Sequence, residues 1–249
     1  MKVIAIVQAR MSSVRLPNKT LLLLAGKPTL SHVINRLQEC KTLNQIIVAT
    51  STDPGDDLIE KWCRDVHIDF YRGSLSDVLD RYYCAAKEFN AEVVVRITAD
   101  CPVIDSEIVD EVVTKFLSND YDTCALAGEF PDGLDCQVFS LSALEKAWKE
   151  AKLPSEREHV GPYIDNNPEL FRVGHLYKFK DLSHHRWTLD EPEDYEFLKI
   201  VFTKLYGVVP HFKTKDILEL MEKEPLLMNI NSQIIRNQGY INSLKAEQN

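Results

Sequence analysis

The chain has 249 residues, of which 45% are hydrophobic and 27% charged, a size and composition that suit one globular domain or one domain with a small appendage. Its formal net charge of -9 argues against a broad surface that tracks nucleic-acid phosphates, so we expect any phosphate site to be local and no nucleic-acid partner. The six cysteines are scattered without a CxxC pair, which favours reduced thiols over a zinc cluster or a disulfide framework.

The amino-terminal apolar run, residues 2–7, stops at Gln8 and Arg10. That is far shorter than a signal segment followed by a cleavage site, and no other stretch reaches the length needed to cross a bilayer. We therefore expect a cytoplasmic protein without a membrane partner.

Short apolar, β-branched runs alternate with amphipathic segments over the first hundred residues. Fully apolar strands between helices are typical of α/β folds, in which a mostly parallel sheet carries helices on both faces. The predicted strands are 2–7, 46–50, 68–71 and 92–97, and the predicted helices are 30–37, 56–65 and 77–89.

The second half of the chain has shorter and more polar strand candidates, which predict a small mixed α+β subregion. Ser142 with Glu145, and Ser155 with Glu158, have capping-box spacing and predict helix starts near those positions. Pro192 predicts the first turn of a helix. The predicted elements of this half are a helix at 106–117, strands at 121–126, 136–139 and 171–177, a helix at 193–205, and two or three helices over 214–245.

The loop after the first strand is polar and carries Arg10, Arg15 and Lys19. Ligands of open parallel sheets bind at the carboxyl ends of the strands, so these cations are placed to converge on a triphosphate. Ser12, Ser13 and the loop amides would add donors. Each cation alone is more simply a solvated surface charge, but three within ten positions favour a site. Neither GxxxxGK[ST] nor GxGxxG is present, which disfavours P-loop and Rossmann enzymes.

Two aspartates from distant loops have the positions expected of metal ligands. Asp100 follows the end of a buried strand, and Asp190 lies between a strand candidate and the helix begun by Pro192. Magnesium takes one or two carboxylates together with waters and phosphates, so this pair would suffice. Helix capping or a turn is the alternative for any such residue, and we prefer it for Asp105, Glu193 and Asp194.

The segment 7–19 resembles the nucleotide-binding loop of the CMP-KDO and CMP-sialic acid synthetase family of cytidylyltransferases, especially its SpsF-type spore-coat polysaccharide branch. Segments 96–105 and 186–194 are similar to the Asp-Cys-Pro-apolar-Ile-Asp and Arg-Trp-Thr-apolar-Asp-x-Pro-Glu-Asp blocks of that branch. Asn18 and Ala99 stand where the branch usually has glycine, and asparagine tolerates the left-handed backbone that glycine would supply. Shorter matching stretches are 71–74, 77–82, 130–135, 157–160 and 237–240.

The resemblance implies a nucleotide-diphospho-sugar transferase-like fold and a CTP-dependent enzyme that transfers CMP to a small acidic or sugar acceptor and releases pyrophosphate. It also implies Mg²⁺ on Asp100 and Asp190, a homodimer and a role in surface polysaccharide or glycoconjugate biosynthesis. The expected organisation is a single domain over residues 1–249, with about 121–180 as an acceptor or dimerisation subregion and about 210–249 as a helical tail. The implied catalytic residues are Arg15, Lys19, Asp100 and Asp190; those at the nucleotide are Gln8, Ala9, Arg10, Ser12, Ser13, Arg72 and Thr98; those at the acceptor are Asp135, Arg157 and His159.

Two other functions remain open on sequence grounds. A nucleotide-sugar-dependent glycosyltransferase of the same fold would use a DxD motif, and Asp120-Tyr121-Asp122 has that spelling, although its place before a strand candidate favours a turn. A non-catalytic nucleotide-binding subunit would keep the fold without turnover. His159 is as compatible with a surface or core position as with a functional one.

Overall fold

A seven-stranded sheet and the helices on its two faces form the molecule, and the computed structural model describes residues 1–248. The strands are β1 Val3–Gln8, β2 Leu23–Leu24, β3 Lys27–Pro28, β4 Gln45–Ser51, β5 Asp69–Gly73, β6 Val93–Thr98, β7 Thr123–Ala127, β8 Gln137–Ser140 and β9 Val173–Tyr177. The helices are α1 Thr29–Leu37, α2 Asp57–Asp65, α3 Val78–Glu88, α4 Ser106–Leu117, α5 Leu141–Glu150, α6 Pro154–His159, α7 Pro162–Asp165, α8 Pro192–Leu205, α9 Thr214–Lys223 and α10 Gln238–Glu247. Short 3-10 helices occur at Lys19–Leu21, Pro54–Asp56 and Pro225–Ile230.

The strand order of the large sheet is β5-β4-β1-β6-β8-β7-β9. β1 pairs in parallel with β4 and β6, and β4 pairs in parallel with β5. β8 is antiparallel to both of its neighbours, whereas β7 and β9 are parallel to each other. Within residues 1–248, β8 is therefore the only strand of this sheet that runs against the others, and the predicted mostly parallel sheet is confirmed.

Alternate residues of β1 enter two separate cores. Val3, Ala5 and Val7 pack with the helices α1, α2, α4, α8 and α9, whereas Ile4 and Ile6 pack on the opposite face with α3 and α5. This alternation is the period of two expected of a strand, and burial on both faces explains why β1 reads as a continuous apolar run. Helices cover both faces of the sheet, as predicted.

The central strands end together at one edge of the sheet. Gln8, the last residue of β1, is in register with Thr98, the last residue of β6. The loops that follow these two strands therefore leave the sheet side by side, which is where ligands of open parallel sheets bind.

Two helices begin away from their predicted caps. Ser140, rather than Ser142, caps α5 by accepting a hydrogen bond from the Ala143 amide at 3.1 Å. α6 begins at Pro154, and the Glu156 carboxylate accepts the Leu153 amide at 3.1 Å in place of the predicted Ser155 and Glu158 pair. Neither observed start has the full Ser-x-x-Glu pattern, because Ser140 is followed by Ala143 and Leu153 precedes Glu156, so the spacing rule predicted both caps two residues too late.

The carboxy-terminal tail is helical, and α9, the 3-10 helix and α10 confirm the predicted two or three helices. Residue 249, the last of the predicted tail, lies outside the described residues. β7, β8 and β9 extend the main sheet, while the single-domain organisation and the role of 121–180 in acceptor binding or dimerisation stay predictions. No helix within residues 1–248 combines the length and apolar character that a bilayer crossing demands.

Candidate active site

The loop after β1 turns back on itself through a left-handed residue. Asn18 has φ 61° and ψ 17° and leads directly into the 3-10 helix that begins at Lys19. The expectation that asparagine adopts the left-handed backbone at this position is confirmed, and its side chain makes no capping hydrogen bond. Two contacts fix the rest of the loop: Thr20 Oγ1 donates to the Arg10 carbonyl at 2.8 Å, and the Met11 amide donates to the buried Asp56 carboxylate at 2.7 Å.

Lys19 lies between the two aspartates that the sequence placed in distant loops. Its Nζ is 2.8 Å from Asp100 Oδ2 and 2.5 Å from Asp190 Oδ1. Arg15 joins the same group, with its Nη2 3.1 Å from Asp190 Oδ2 and its Nε 3.0 Å from Glu191 Oε1. The cationic loop and the two aspartate loops therefore face each other across one cleft.

The backbone around Asp100 binds the second aspartate loop. The Asp100 carbonyl accepts hydrogen bonds from the Leu189 amide at 2.8 Å and from Thr188 Oγ1 at 3.2 Å. The segment before Asp190 was predicted to be a strand; it is instead extended chain with a single bridge between Asp132 and Arg186. Those two hydrogen bonds, one from a backbone amide and one from a side-chain hydroxyl, take the place of strand pairing between the two aspartate loops.

Asp194 positions Asp190 by binding the backbone of the loop that carries it. Its carboxylate is fully buried, accepts the amides of Asp190 and Glu191 at 3.0 Å each, and forms a two-pronged pair with Arg186 at 2.8 Å in both contacts. Arg186 also donates to Asp132 at 2.8 Å. The structural role preferred for Asp194 agrees with these contacts.

Asp105 is likewise a capping residue. Its side chain accepts the Glu107 amide at the start of α4 and both the amide and hydroxyl of Thr214 at the start of α9. Asp105 therefore joins two helix starts and is buried away from solvent.

Burial and charge act against each other at the Lys19 cluster. Burial alone would lower the pKa of Lys19, but the carboxylates of Asp100 and Asp190 outweigh it and raise that pKa above its ordinary value. Burial alone would raise the pKa of Asp100, but the Lys19 ammonium and its hydrogen bond lower it to about 2. Both groups are therefore charged at neutral pH.

The two aspartates form a donor set that suits a hard divalent cation. Their oxygens converge on one ammonium, so a cationic centre already occupies the point that both can reach. Carboxylate oxygens are the protein ligands that Mg²⁺ prefers, and it fills its remaining positions with waters and phosphate oxygens. Among residues 1–248 no group of three or more His, Cys, Asp or Glu side chains is arranged to hold a metal, so two carboxylates are what the protein offers here.

The cleft contains two connected cavities, of about 270 Å³ and about 220 Å³, which share the side chains of Arg10, Arg15, Arg81, Asp100 and Asp190. More residues of the cationic loop line the larger one, and His159 lines the smaller one. The structure thus gathers most of the predicted site residues in one place. Those lining the larger cavity are Gln8, Ala9, Arg10, Ser12, Ser13, Arg15, Lys19, Thr98, Asp100 and Asp190.

Arg72, predicted at the nucleotide, is not among the residues that line either cavity. Its guanidinium donates to the Ser51 and Asp53 carbonyls and pairs with Asp57 and Glu60 at 2.6 and 2.7 Å. β5 is the edge strand of the sheet, and α2 lies within reach of its side chain. The structure therefore places Arg72 in a contact between β5 and α2 instead of in the cleft.

Two predicted acceptor residues are also directed elsewhere. Arg157 binds the Asp77 carboxylate, with its Nη2 2.5 Å from Oδ2, and donates to the Trp148 carbonyl at 2.6 Å. Asp135 accepts the Gly133 amide at 3.1 Å and lies 3.5 Å from Arg236. Neither lines the two cavities, which leaves His159 as the predicted acceptor residue that does.

Several cleft residues were not predicted from the sequence. Arg81 lines both cavities, and Arg96, Asp132 and the segment 237–240 line the smaller one. A signal for Arg96 existed, because a strand with period two places it on the same face as Thr98. Arg81 and the segment 237–240 belong to stretches whose sequence resembles the family, but nothing in their spacing relates them to the loop after β1. Burial and Asp135 raise the pKa of Asp132 to about 7.

The Asp120-Tyr121-Asp122 motif lies outside the cleft. Asp120 and Asp122 both pair with Arg172 in the turn before β7, and neither lines the two cavities. The turn interpretation of Asp120-Tyr121-Asp122 is therefore supported by the geometry.

Comparison with known proteins gives the family. The family model described as cytidylyltransferase matches residues 4–232. An uncharacterized protein of Methanocaldococcus jannaschii, MJ1063, is 39% identical over 96% of this chain and 98% of its own. The spore coat polysaccharide biosynthesis protein SpsF of Bacillus subtilis is 29% identical over 90% of this chain and 95% of its own.

A solved structure of a cytidylyltransferase from Leptospira borgpetersenii superimposes with a TM-score of 0.88 at 36% identity, covering 95% of this chain and all of the other. The predicted fold and the predicted family resemblance are both confirmed by these matches, which span nearly the whole sequence. The chain belongs to the cytidylyltransferase family and is a nucleotidyltransferase.

Proposed function

We propose that this protein transfers CMP from CTP to a small acidic or sugar acceptor and releases pyrophosphate. The observation that carries the proposal is the position of Lys19, whose ammonium contacts Asp100 and Asp190 in a cleft lined by Arg10 and Arg15. In the reaction an acceptor oxygen forms a bond to the α-phosphorus while the bond from that phosphorus to pyrophosphate breaks. The demands on the protein are alignment and neutralisation of negative charge.

The cationic loop is suited to the triphosphate. Arg10 and Arg15 are about half exposed in the cleft and make only exposed or partly exposed ion pairs, so their guanidinium groups can turn to phosphate oxygens. Ser12 and Ser13 line the same cavity and add hydroxyl donors. Gln8, Ala9 and Thr98, at the strand ends, would contact the nucleoside, Gln8 through its backbone.

Asp100 and Asp190 would hold Mg²⁺. When bound there, the ion would supply Lewis-acid polarisation of the α-phosphate. Lys19 cannot keep both of its present contacts beside a divalent cation at the same point, because like charges repel. The triphosphate offers its ammonium an alternative set of anionic oxygens in the same cleft, so we assign Lys19 to the β- and γ-phosphates in the loaded enzyme.

The similarity to SpsF supports a role in surface polysaccharide or glycoconjugate biosynthesis. We also propose a cytoplasmic homodimer that associates through the region after Asp120. β9 ends the sheet on that side and Tyr177 on it is largely exposed, which supports this region as the contact. Light scattering on the purified protein would give the mass, and a monomer at micromolar concentration would contradict the dimer.

The deciding experiment is a nucleotide-by-acceptor screen for pyrophosphate release with and without Mg²⁺. CTP in combination with an acidic or sugar acceptor is expected to give pyrophosphate and the CMP conjugate only when Mg²⁺ is present. Release of UDP from a UDP-sugar would instead identify a glycosyltransferase. Tight CTP binding by calorimetry with no product from any acceptor would identify a non-catalytic subunit.

A further inference from the structure

Two arginines in the smaller cavity have no carboxylate partner. Arg81 is 1% exposed, its Nη1 donates to the Ser74 carbonyl at 2.7 Å, and its Nε is buried without a hydrogen-bond partner. The Nε of Arg96 is also buried and unpartnered. Within residues 1–248 neither guanidinium lies within 4 Å of a carboxylate oxygen, in contrast to Arg15, Arg72, Arg157 and Arg186.

Their positions in the fold bring both arginines to the same cavity. Arg96 lies on β6 opposite Ile6 of β1, on the sheet face that packs against α3. Arg81 belongs to α3, on that face. The buried Oε1 of Gln8, at the end of β1, is the third polar atom of this cavity without a partner. Together they offer N–H donors and one acceptor to a ligand.

The first turn of α10 completes the cavity wall. Gln238, Gly239 and Tyr240 line it, and the first N–H groups of a helix have no partner within the helix. Asn237 precedes the helix in a left-handed conformation, and its side chain makes no capping bond. An oxyanion near this end would be favoured by the helix dipole as well as by the amides.

Polar contacts hold α10 in this place. Glu247 accepts the amide and hydroxyl of Ser155 at 2.6 and 3.0 Å, and Ser243 Oγ lies 3.1 Å from His159 Nε2. The rings of His159 and Tyr240 are 5.1 Å apart. α10 follows residue 232, where the match to the family model ends. This wall of the cleft is therefore supplied by a segment outside the matched region.

The carboxylates of the cavity already have cationic partners. Asp132 receives a hydrogen bond from Arg186 at 2.8 Å, and Glu158 lies 3.8 Å from Arg10 and accepts from Ser243 at 3.2 Å. Among the arginines of this cavity, Arg81 and Arg96 are the two that have no carboxylate oxygen within 4 Å among residues 1–248. A buried cation without a counter-charge is costly, and a ligand oxyanion would offset that cost.

We propose that Arg81, Arg96 and the first turn of α10 form a subsite that binds a carboxylate or phosphate group of the acceptor, with Gln8 Oε1 accepting a hydrogen bond from a neighbouring hydroxyl. This inference rests on the proposed CMP transfer and assigns acceptor selection to these residues. A substitution of Arg96 tests the acceptor subsite separately from the nucleotide site, because Arg96 lines only the smaller cavity whereas Arg81 lines both.

Sulfate can serve as the probe, because it presents the same oxyanion chemistry and its binding needs no turnover. The full-length protein is first saturated with α,β-methylene-CTP and Mg²⁺, which fills the triphosphate positions, and sulfate is then titrated by calorimetry. We expect sulfate to bind the wild type, and Arg96→Gln to weaken it about tenfold or more while the nucleotide affinity changes less than about twofold. Arg64→Gln, which removes an exposed arginine on α2, is the matched control and should change neither value.

Truncation after Arg236 tests the helix separately and should also weaken sulfate binding with the nucleotide affinity retained. The inference is overturned if sulfate fails to bind the nucleotide-loaded protein, if Arg96→Gln leaves sulfate binding intact, or if that variant weakens the nucleotide as much as the sulfate. Failure of CMP transfer would look different: the nucleotide analogue itself would not bind, or the acceptor screen would give no pyrophosphate. Once an acceptor is known, Arg96→Gln should raise its KM more than it lowers kcat, and Arg96→Lys should restore part of the loss.

Discussion

Lys19 is the residue at which the cationic loop after β1 meets the two loops that carry Asp100 and Asp190. Its ammonium fills the point to which Asp100 and Asp190 both reach in a largely buried place, and Arg15 supplies the second positive charge beside Asp190. In the proposed mechanism, a metal ion bound by the two aspartates would displace this ammonium towards the triphosphate. We therefore expect Lys19 to oppose metal binding in the absence of nucleotide and to support turnover.

We expect Lys19→Met to reduce CTP-dependent pyrophosphate release by at least about a hundredfold, because a charge that stabilises the leaving group is lost. The same variant should bind Mn²⁺ more tightly than the wild type in the absence of nucleotide, because the ammonium no longer competes for the two carboxylates. Electron paramagnetic resonance of free Mn²⁺ measures the second effect. Lys27→Met, which removes a lysine of the β2–β3 hairpin outside the cleft, is the control.

Asp100→Ala should abolish turnover and, unlike Lys19→Met, weaken Mn²⁺ binding. Removing a ligand and removing a competitor predict opposite shifts, so the two variants together test whether the aspartates hold the metal. Near-normal turnover in either variant with folding intact by circular dichroism would refute the assigned roles.

At this scale the sequence predicted the charged residues at the ends of strands and missed the unpaired ones inside the cleft. Lys19 and Asp100 could be found because a strand end predicts where a side chain emerges. Arg157 and Arg72 were placed at ligands because the sequence does not reveal that Asp77 and Glu60 already bind them. Which residue pairs with a given charged side chain is determined by the tertiary structure.

Short connecting segments decide the geometry of the site at the scale of elements. The left-handed Asn18 lets the loop after β1 turn into its 3-10 helix, and the Arg186–Asp194 pair anchors the loop before α8. The long elements were predicted well: the helix at 106–117 is found as Ser106–Leu117, because its apolar spacing is regular and Asp105 caps it. The irregular segment before Asp190 was mistaken for a strand, because its apolar residues alternate although it pairs through one bridge alone.

Replacing Asn18 separates backbone shape from side-chain chemistry. Because the Asn18 side chain makes no capping bond, Asn18→Gly should keep or slightly raise the free energy of unfolding and leave CTP affinity intact. Asn18→Ala should lower the free energy of unfolding by about 1 kcal/mol, since a Cβ disfavours this conformation. Urea denaturation followed by CTP titration measures both, and equal behaviour of the two variants would argue against a backbone role.

Breaking the Arg186–Asp194 pair should lower the free energy of unfolding far more than the Asn18 substitutions do. Both side chains are buried, so Asp194→Asn removes the two-pronged counter-charge of the guanidinium and leaves it only Asp132, which should cost about 3–5 kcal/mol of unfolding free energy. Asp65→Asn, which breaks the exposed Lys61–Asp65 pair, is the control and should change the value by less than about 1 kcal/mol. Urea midpoints at constant m-value report the difference, and a loss at Asp194 no larger than at Asp65 would contradict the anchoring role.

The whole molecule combines a net charge of -9 with a cluster of cations in its cleft. Overall charge alone would repel a nucleotide triphosphate, so binding depends on local concentration of arginine and lysine where water is partly excluded. The composition could indicate that the phosphate site is local. The alternation of strands and helices could indicate that this site lies at one edge of the sheet. The contribution of the tail to that edge could not be predicted, because α10 reaches it through tertiary contacts with α6 that the family resemblance at 237–240 does not reveal.

Two buried histidines make the free energy of unfolding depend on pH. Burial lowers the pKa of His32 and of His185 to about 4, from an ordinary value near 6.5, and the exposed fractions of these residues are 3% and 6%. A depressed histidine pKa means that the unfolded chain takes up the proton first. The stabilisation is therefore complete above about pH 6.5 and is lost as the pH falls towards 4, with up to about 3 kcal/mol at stake for each histidine.

Urea denaturation at pH 7.5, 6.0 and 5.0 should show the free energy of unfolding falling with pH, and His32→Gln should make that fall shallower. His175→Gln, at an exposed position on β9, should leave the slope of the wild type unchanged. Asp132 acts in the opposite sense, because a carboxyl with a raised pKa stabilises the folded state as it gains a proton, so the difference between variants is more informative than the absolute slope. Identical slopes for the wild type and His32→Gln would mean that the ring of His32 becomes protonated in the folded protein as readily as in the unfolded chain, despite its buried hydrogen bond to the Leu24 carbonyl.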